Sequence, residues 1–292
     1  LNNKSKKLPN KEKIKKIIDH IKNMPQPEQR TESWYKFRHN LITASNAYKA
    51  FGSDAKKNEL ICEKCKEFEY PISRSINIET AMHWGVRYEP LSVMYYENKY
   101  NTKIDDYGCI QHEKYKFLGA SPDGINVDSS SNLYGRMLEI KNPKSRTITG
   151  IPKDEYWVQM QLQMEVCNLN YCDFLETKFT EYTTREEFIT DGSFNLSSDN
   201  KLKGIIMHFS KNNEVKYFYK PIDYNEEEYN VWELEQMNLE NDGYLWIQNI
   251  YWKLDYVSCI LVLRNKRWFN KCIKYIEDIW KTVEEERINN KW

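Results

Sequence analysis

The chain has 292 residues, with 43 basic and 43 acidic side chains and no formal net charge, which excludes a histone-like polycation. Any surface for nucleic acid must be a local basic patch balanced elsewhere. Hydrophobic residues at 40% and charged residues at 29% fit a globular fold with its own core; no apolar run reaches the length of a membrane span, and seven cysteines without an apolar signal segment fit a reducing, intracellular setting better than a disulfide framework.

Residues 1–30 read as a basic helical arm. Lys4, Lys6, Lys7, Lys11, Lys13, Lys15 and Lys16 flank Ile14, Ile17, Ile18 and Ile21, which recur at helical spacing until Pro25 and Pro27 end the pattern. The lysines suit phosphates or simply a solvated face. Trp34 to Ser45 leads into a helix predicted through Phe51, which Thr43 or Ser45 is placed to cap; Arg38, nearby, has the fork geometry for an anion at that helix start. Cys62 and Cys65 have C-x-x-C spacing, yet no second pair supplies four zinc ligands, so they read as free thiols. Ile78 to Tyr100 carries a helical pattern that Pro90 either kinks or restarts, with Glu89 at the break.

Residues 103–127 read as two strands, the first ending at Gln111-His112-Glu113. The second contains Leu118-Gly119-Ala120-Ser121-Pro122-Asp123-Gly124-Ile125 and is answered by Leu138-Glu139-Ile140-Lys141 across the turn-prone Asp128 to Asn132. Alternation on a strand sends Leu138 and Ile140 to one face and Glu139 and Lys141 to the other. A hairpin here brings Asp123 close to Glu139, and carboxylates so placed repel unless a cation joins them. Hard oxygen ligands suit Mg²⁺, with Lys141 placed to orient or deprotonate an attacking water or to offset phosphate charge, so phosphodiester hydrolysis is the reaction suggested. Taken singly, Asp-Gly is an ordinary turn and Glu-x-Lys an ordinary solvated face.

Next comes a helix through Tyr156 to Met164, on which Gln159 and Gln163 share a face and Gln161 lies nearly opposite. At least one of these amides should face inward, near the acidic pair or within the core. Tyr171 to Phe179 reads as a strand, Thr183 to Lys201 as a polar loop, Lys203 to Phe209 with Glu214 to Lys220 as a hairpin, and Asn225 to about Glu240 as helix. Cys259 to Leu263 has the length of one buried strand, and Trp268 to Arg287 reads as a closing amphipathic helix.

The order D-(x)15-E-x-K, with Pro122 before Asp123, resembles the PD-(D/E)XK nuclease signature. Taken with W-x3-R-x4-T-A-S at Trp34 to Ser45, W-G-x-x-Y-E at Trp84 to Glu89 and Q-x-Q at Gln159 to Gln161, the chain resembles the YqaJ viral recombinase family, to which phage lambda exonuclease is related. The resemblance implies an α+β fold of restriction-endonuclease type: a central mixed sheet flanked by helices as a nuclease core over 31–182, with 183–292 as a C-terminal elaboration of the same domain, hairpin plus helices. It implies metal ligation by Asp123, Glu139 and the Ile140 carbonyl, with Lys141 at the attacking water and Glu89 and Gln161 completing the centre. Arg38, Ser45 and Ser121 then form a pocket for a 5′ phosphate, Met82 is an apolar wedge at the end base pairs, and Glu113 is an additional acidic group.

The expected activity is 5′-to-3′ digestion of one strand of linear duplex DNA, dependent on Mg²⁺ with two ions per site and with Mn²⁺ as substitute. It leaves 3′ overhangs for recombination or repair, in the setting of a large DNA virus replicating in its host cell. Expected partners are 5′-phosphorylated duplex ends, a single-strand-annealing protein and further copies of the chain, trimer and monomer both remaining open; no membrane is expected. The alternatives are an endonuclease or RNA-degrading nuclease with the same centre, or a catalytically silent scaffold that binds DNA ends.

Overall fold

The computed structural model describes residues 10–70 and 77–289, so Lys4, Lys6 and Lys7 of the expected basic arm lie outside the described residues. Helices α1 (Lys11–Asn23) and α2 (Glu32–His39) precede a short strand β1 (Ile42–Thr43), α3 (Asp54–Cys65) and the long α4 (Ala81–Tyr100). Then come β2 (Ile104–Asp105), β3 (Ile110–Gln111), β4 (Leu118–Ala120), β5 (Gly124–Asn126), β6 (Met137–Lys141), α5 (Asp154–Val166) and β7 (Tyr171–Glu181). The remainder is α6 (Arg185–Thr190), β8 (Lys203–Lys211), β9 (Glu214–Tyr219), α7 (Glu226–Met237), β10 (Leu245–Leu263) and α8 (Lys266–Asn289).

The architecture is mixed α+β. The larger sheet has the order β2-β5-β6-β7-β10-β8-β9. Its β6–β7 pair is parallel and its other pairs are antiparallel. A parallel neighbour needs a long crossover, and α5 supplies it between β6 and β7. One face of β6 buries Leu138 and Ile140 with Tyr96 of α4 and Leu175 of β7, while Met137 on the other face joins Met160, Leu162 and Met164 of α5 in the main core. Helix α1 is fixed to this core: Asn10 caps it through Glu12 N–H and Lys13 N–H, and Ile14, Ile18 and Ile21 are buried. Among the described residues no helix is long and apolar enough to cross a membrane.

Several elements differ from the sequence expectation. The region 103–127 forms four short strands rather than two, and Leu118 to Ile125 is not one strand. It divides at Ser121-Pro122-Asp123: β4 pairs with β1 and β3 in a small three-stranded sheet, whereas β5 joins the large one. Pro90 does not break α4, whose burial of Tyr88, Leu91 and Tyr96 outweighs the lost backbone hydrogen bond at an exposed position. The expected helix to Phe51 is a 3-10 turn over Ala47–Phe51, and neither Thr43 nor Ser45 caps it. Instead Asn46 Oδ1 accepts Thr43 N–H at 2.9 Å. The expected loop 183–201 contains α6.

The largest difference is β10. Cys259 to Leu263 is only the end of a 19-residue strand that pairs with β7 along one edge and β8 along the other. Irregular register at Trp246/Gln248 and Leu254/Tyr256 lets so long a strand follow the twist of the sheet. The C-terminal third therefore supplies an interior strand of the same sheet that carries the Glu-x-Lys pair.

Candidate active site

Because Ser121-Pro122-Asp123 crosses from one sheet to the other, it presents Ser121 and Asp123 at the junction between them. The crossing is tight: a Cβ added to Gly124 would lie 2.2 Å from Ile104 Cγ2, so β5 and β2 approach as closely as they do only with glycine there. Asp123 Oδ2 accepts the Ile140 N–H at 2.6 Å, which ties the acidic loop to the middle of β6. One residue earlier on β6, Glu139 is fully buried on the α5 side. Gln163 of α5 donates to Glu139 Oε2 at 2.6 Å, and Lys141 Nζ donates to Glu139 Oε1. The ammonium also lies 5.1 Å above the Tyr156 ring.

Helix α4 brings Glu89, half-buried, to the same place. Glu89, Asp123, Ile140 and Lys141 line a cavity of about 470 Å³ whose mouth carries Met82, 81% exposed. A second cavity of about 200 Å³ shares Glu89 and Asp123 and continues to Ser121, Ser45, Arg38, Arg30, Gln159 and Gln163. Here Arg38 Nη1 donates to Ser121 Oγ at 3.2 Å and Nη2 to Ser45 Oγ at 3.3 Å, with the guanidinium 4.3 Å from the centre of the Trp34 ring. Lys64 Nζ donates to the Arg38 carbonyl at 3.1 Å and holds the end of α2 in place. The Arg38 group thus faces hydroxyls, and its own burial disfavours its charge. An anion between the arginine and the two serines would relieve that cost.

Electrostatics at the carboxylates point the opposite way. Burial, followed by the charges of Glu139 and Glu89, pushes the Asp123 pKa well above the usual carboxylate range, against the opposing pull of Lys141 and the Ile140 N–H. Burial also raises Glu89, with Arg30 and Lys141 opposing and Glu139 reinforcing. For Lys141, burial works against the ammonium, yet Glu139 and Asp123 outweigh it and hold the pKa above its ordinary value. The site therefore has an excess of negative charge that one lysine only partly meets.

A divalent cation fits this donor set. Among the described residues no three His, Cys, Asp or Glu side chains converge on one point; the groups that could hold a cation here are the Asp123 and Glu139 carboxylates with the Ile140 carbonyl. All three are hard oxygens of the kind Mg²⁺ prefers, and Lys141 already places a positive charge on Glu139. Cys62 and Cys65 are free thiols of α3, and Cys65 Sγ points to the Val283 carbonyl.

Two sequence assignments are corrected by the geometry. Gln161 does not reach the carboxylates: its Nε2 donates to the Leu263 carbonyl at 2.9 Å and its Oε1 accepts the Asn265 N–H at 2.6 Å, tying α5 to the end of β10. The glutamine that reaches Glu139 is Gln163, and Gln159, one turn earlier on the same face, lines the same cavity. The run Gln-Met-Gln-Leu-Gln allows both frames, and only the position of β10, absent from the sequence reading, separates them. Glu113 lies on the surface against His20 Nε2 at 2.6 Å, because the chain turns back at His112 into β4 and carries it away from Asp123. Arg30 was not anticipated, since nothing in the sequence marks a turn arginine as facing a cavity.

Residues 33–183 match the YqaJ-like viral recombinase domain. The chain is 32% identical over 302 residues to uncharacterized protein R354 of Acanthamoeba polyphaga mimivirus, an alignment covering 91% of this chain and 54% of that protein. It thus spans about half the length of that curated relative. Its fold is similar to that of an alkaline exonuclease, LHK-Exo, from Laribacter hongkongensis: TM-score 0.52, 21% identity, 89% of this chain and 96% of that one covered. The structure of LHK-Exo in complex with dAMP matches at a TM-score of 0.53 with the same identity and coverage. At this level of identity the likeness is one of fold.

Proposed function

The chain belongs to the YqaJ-like viral recombinase family, and we propose that it is a Mg²⁺-dependent exonuclease that digests the 5′-ended strand of linear duplex DNA and leaves a 3′ overhang for recombination or repair. One observation carries this reading: the Asp123, Glu139 and Lys141 cluster and the Arg38, Ser45 and Ser121 pocket open onto cavities that share Glu89 and Asp123. A centre suited to cutting a phosphodiester thus adjoins a grip suited to a terminal phosphate. The fold likeness to an alkaline exonuclease supports the same class.

In this mechanism Arg38 and the two hydroxyls hold the 5′ phosphate, fixing which phosphodiester reaches the carboxylates. Asp123 and Glu139 with the Ile140 carbonyl would hold the cation, which when bound would supply acidification of water and charge to offset that of the phosphate. Gln163 fixes the orientation of Glu139 by donating to its second oxygen. Lys141, freed from Glu139, supplies an N–H donor to the attacking water or to the phosphate oxygens as charge develops. Met82 at the cavity mouth offers an apolar face to the last base pair.

The test is a time course on 5′-labelled and 3′-labelled linear duplex with Mg²⁺, beside closed circular DNA and RNA. Early release of the 5′ label as mononucleotide, an intact circle and no release in EDTA are expected, with Mn²⁺ restoring turnover and Ca²⁺ supporting binding alone. Early loss of the 3′ label, or equal attack on circles, would overturn the polarity or the end requirement.

A further inference from the structure

The turn that enters α2 carries an unusual residue. Thr31 N–H donates to the Glu28 carbonyl at 3.4 Å, closing a turn in which Arg30 takes a φ of 67°. Glycine or asparagine ordinarily occupies such a position, and an arginine there carries a backbone cost that the rest of the turn must offset. The turn is held on both sides: Gln29 Nε2 donates to the Tyr107 carbonyl at 2.7 Å, and Thr31 Oγ1 caps α2 through Trp34 N–H at 3.3 Å. Its exposed side chain lines the smaller cavity with Arg38, Ser121, Glu89 and Asp123, and among the described residues it forms no ion pair.

Resting on the exonuclease reading, we propose that Arg30 is a second phosphate anchor, dedicated to the internucleotide phosphate beside the carboxylates rather than to the 5′-terminal phosphate. The two arginines occupy different parts of one cavity. Arg38 is committed to the Ser45 and Ser121 hydroxyls. Arg30, by contrast, lines the cavity wall with Glu89 of α4 without committing to a partner there, and its charge opposes the upward shift of the Glu89 pKa. A phosphate entering between Arg30 and Glu89 would take over the balancing of this cation.

The backbone conformation supplies a clean variant, because Arg30→Gly removes the guanidinium while easing the left-handed turn. Binding of 5′-phosphorylated and 5′-hydroxyl duplex ends is measured in Ca²⁺ over a salt series, with thermal melts alongside. Arg30→Gly should keep the wild-type melting temperature and weaken both kinds of end roughly tenfold. It should also reduce the slope of log affinity against log salt by about one. Arg38→Ala should instead lose affinity mainly for phosphorylated ends. Unchanged affinity and slope in Arg30→Gly, or a loss confined to phosphorylated ends, would overturn the assignment; so would a fall in turnover with binding intact, which would make Arg30 a positioning group for Glu89. Wild-type protein that neither binds nor shortens duplex ends would overturn the exonuclease reading itself, and this inference with it.

Discussion

Glu139 is fully buried, and both its oxygens are engaged by groups of the protein itself, Lys141 and Gln163. Removing either partner tests a different function. Lys141→Ala should abolish cleavage while sparing DNA binding, read by gel shift in Ca²⁺ beside turnover in Mg²⁺; turnover at the wild-type rate would refute its role. The glutamines separate site from scaffold. Gln163→Ala should lower turnover by about 10²-fold, in the range for loss of an oriented group around a metal ligand. Gln161→Ala should instead cost about 1–3 kcal/mol of stability by leaving the Asn265 N–H and Leu263 carbonyl unmet. Turnover per folded Gln161→Ala molecule should stay near wild type, and the reverse pattern would restore the sequence assignment.

Asp123 gives a pH test. Its pKa is raised, so the folded chain keeps a proton that the unfolded chain releases above about pH 3.9. Metal-free stability therefore falls as pH rises from that value through the raised pKa, and Asp123→Asn removes the loss. Thermal melts in EDTA should show the variant above wild type at neutral pH, with the gap closing on acidification; a gap that widens towards acid would contradict the shift. These side chains were legible in the sequence because chemistry restricts their types and spacing. Gln163 was not, because three glutamines at alternate positions differ only in what packs against them.

The hairpin of β5 and β6 is the element that most constrains the site. It was legible because turn residues and strand alternation are local. The division of Leu118 to Ile125 between two sheets was not, since β4 is sandwiched between its neighbour β3 and β1, and the β1 partner, Ile42, lies far earlier in the chain. Gly124 marks the consequence, with β5 lying so close to β2 that a methyl group meets Ile104. Gly124→Ala should therefore destabilise by about 1–3 kcal/mol, as overpacking does. By shifting Asp123 relative to Ile140 N–H, it should also lower turnover more than DNA binding. Denaturant unfolding and single-turnover kinetics on one preparation would check both, and wild-type values for both would show that β2 moves aside freely. Helix α4 gives the converse lesson. Proline suggested a break at Glu89, and packing of Tyr88, Leu91 and Tyr96 keeps the helix whole.

Across the whole molecule the match to residues 33–183 and the sheet do not coincide. β7, the last strand of that segment, pairs with β10 from Trp252 to Leu263. A chain ended after Glu181 would expose the edge of β7 and the apolar groups that β10 covers, Phe174 and Phe179 among them. That truncation should yield aggregated or molten protein, seen by loss of near-ultraviolet circular dichroism, and a cooperative melt at the wild-type temperature would disprove the dependence. The sequence made the last strand look short because its opening residues, Leu245 to Gln248, are exposed, and alternation is lost at its two register shifts.

The bond between Gln161 and the turn at Leu263 to Asn265 also sets an order in time. The helix that aims Gln163 at Glu139 is anchored by residues translated some hundred positions later, so on the ribosome the early strands wait with one flank bare. The cutting groups should become competent in one step once Asn265 has emerged, and a nascent chain stalled before residue 263 should remain inert towards DNA already bound nearby.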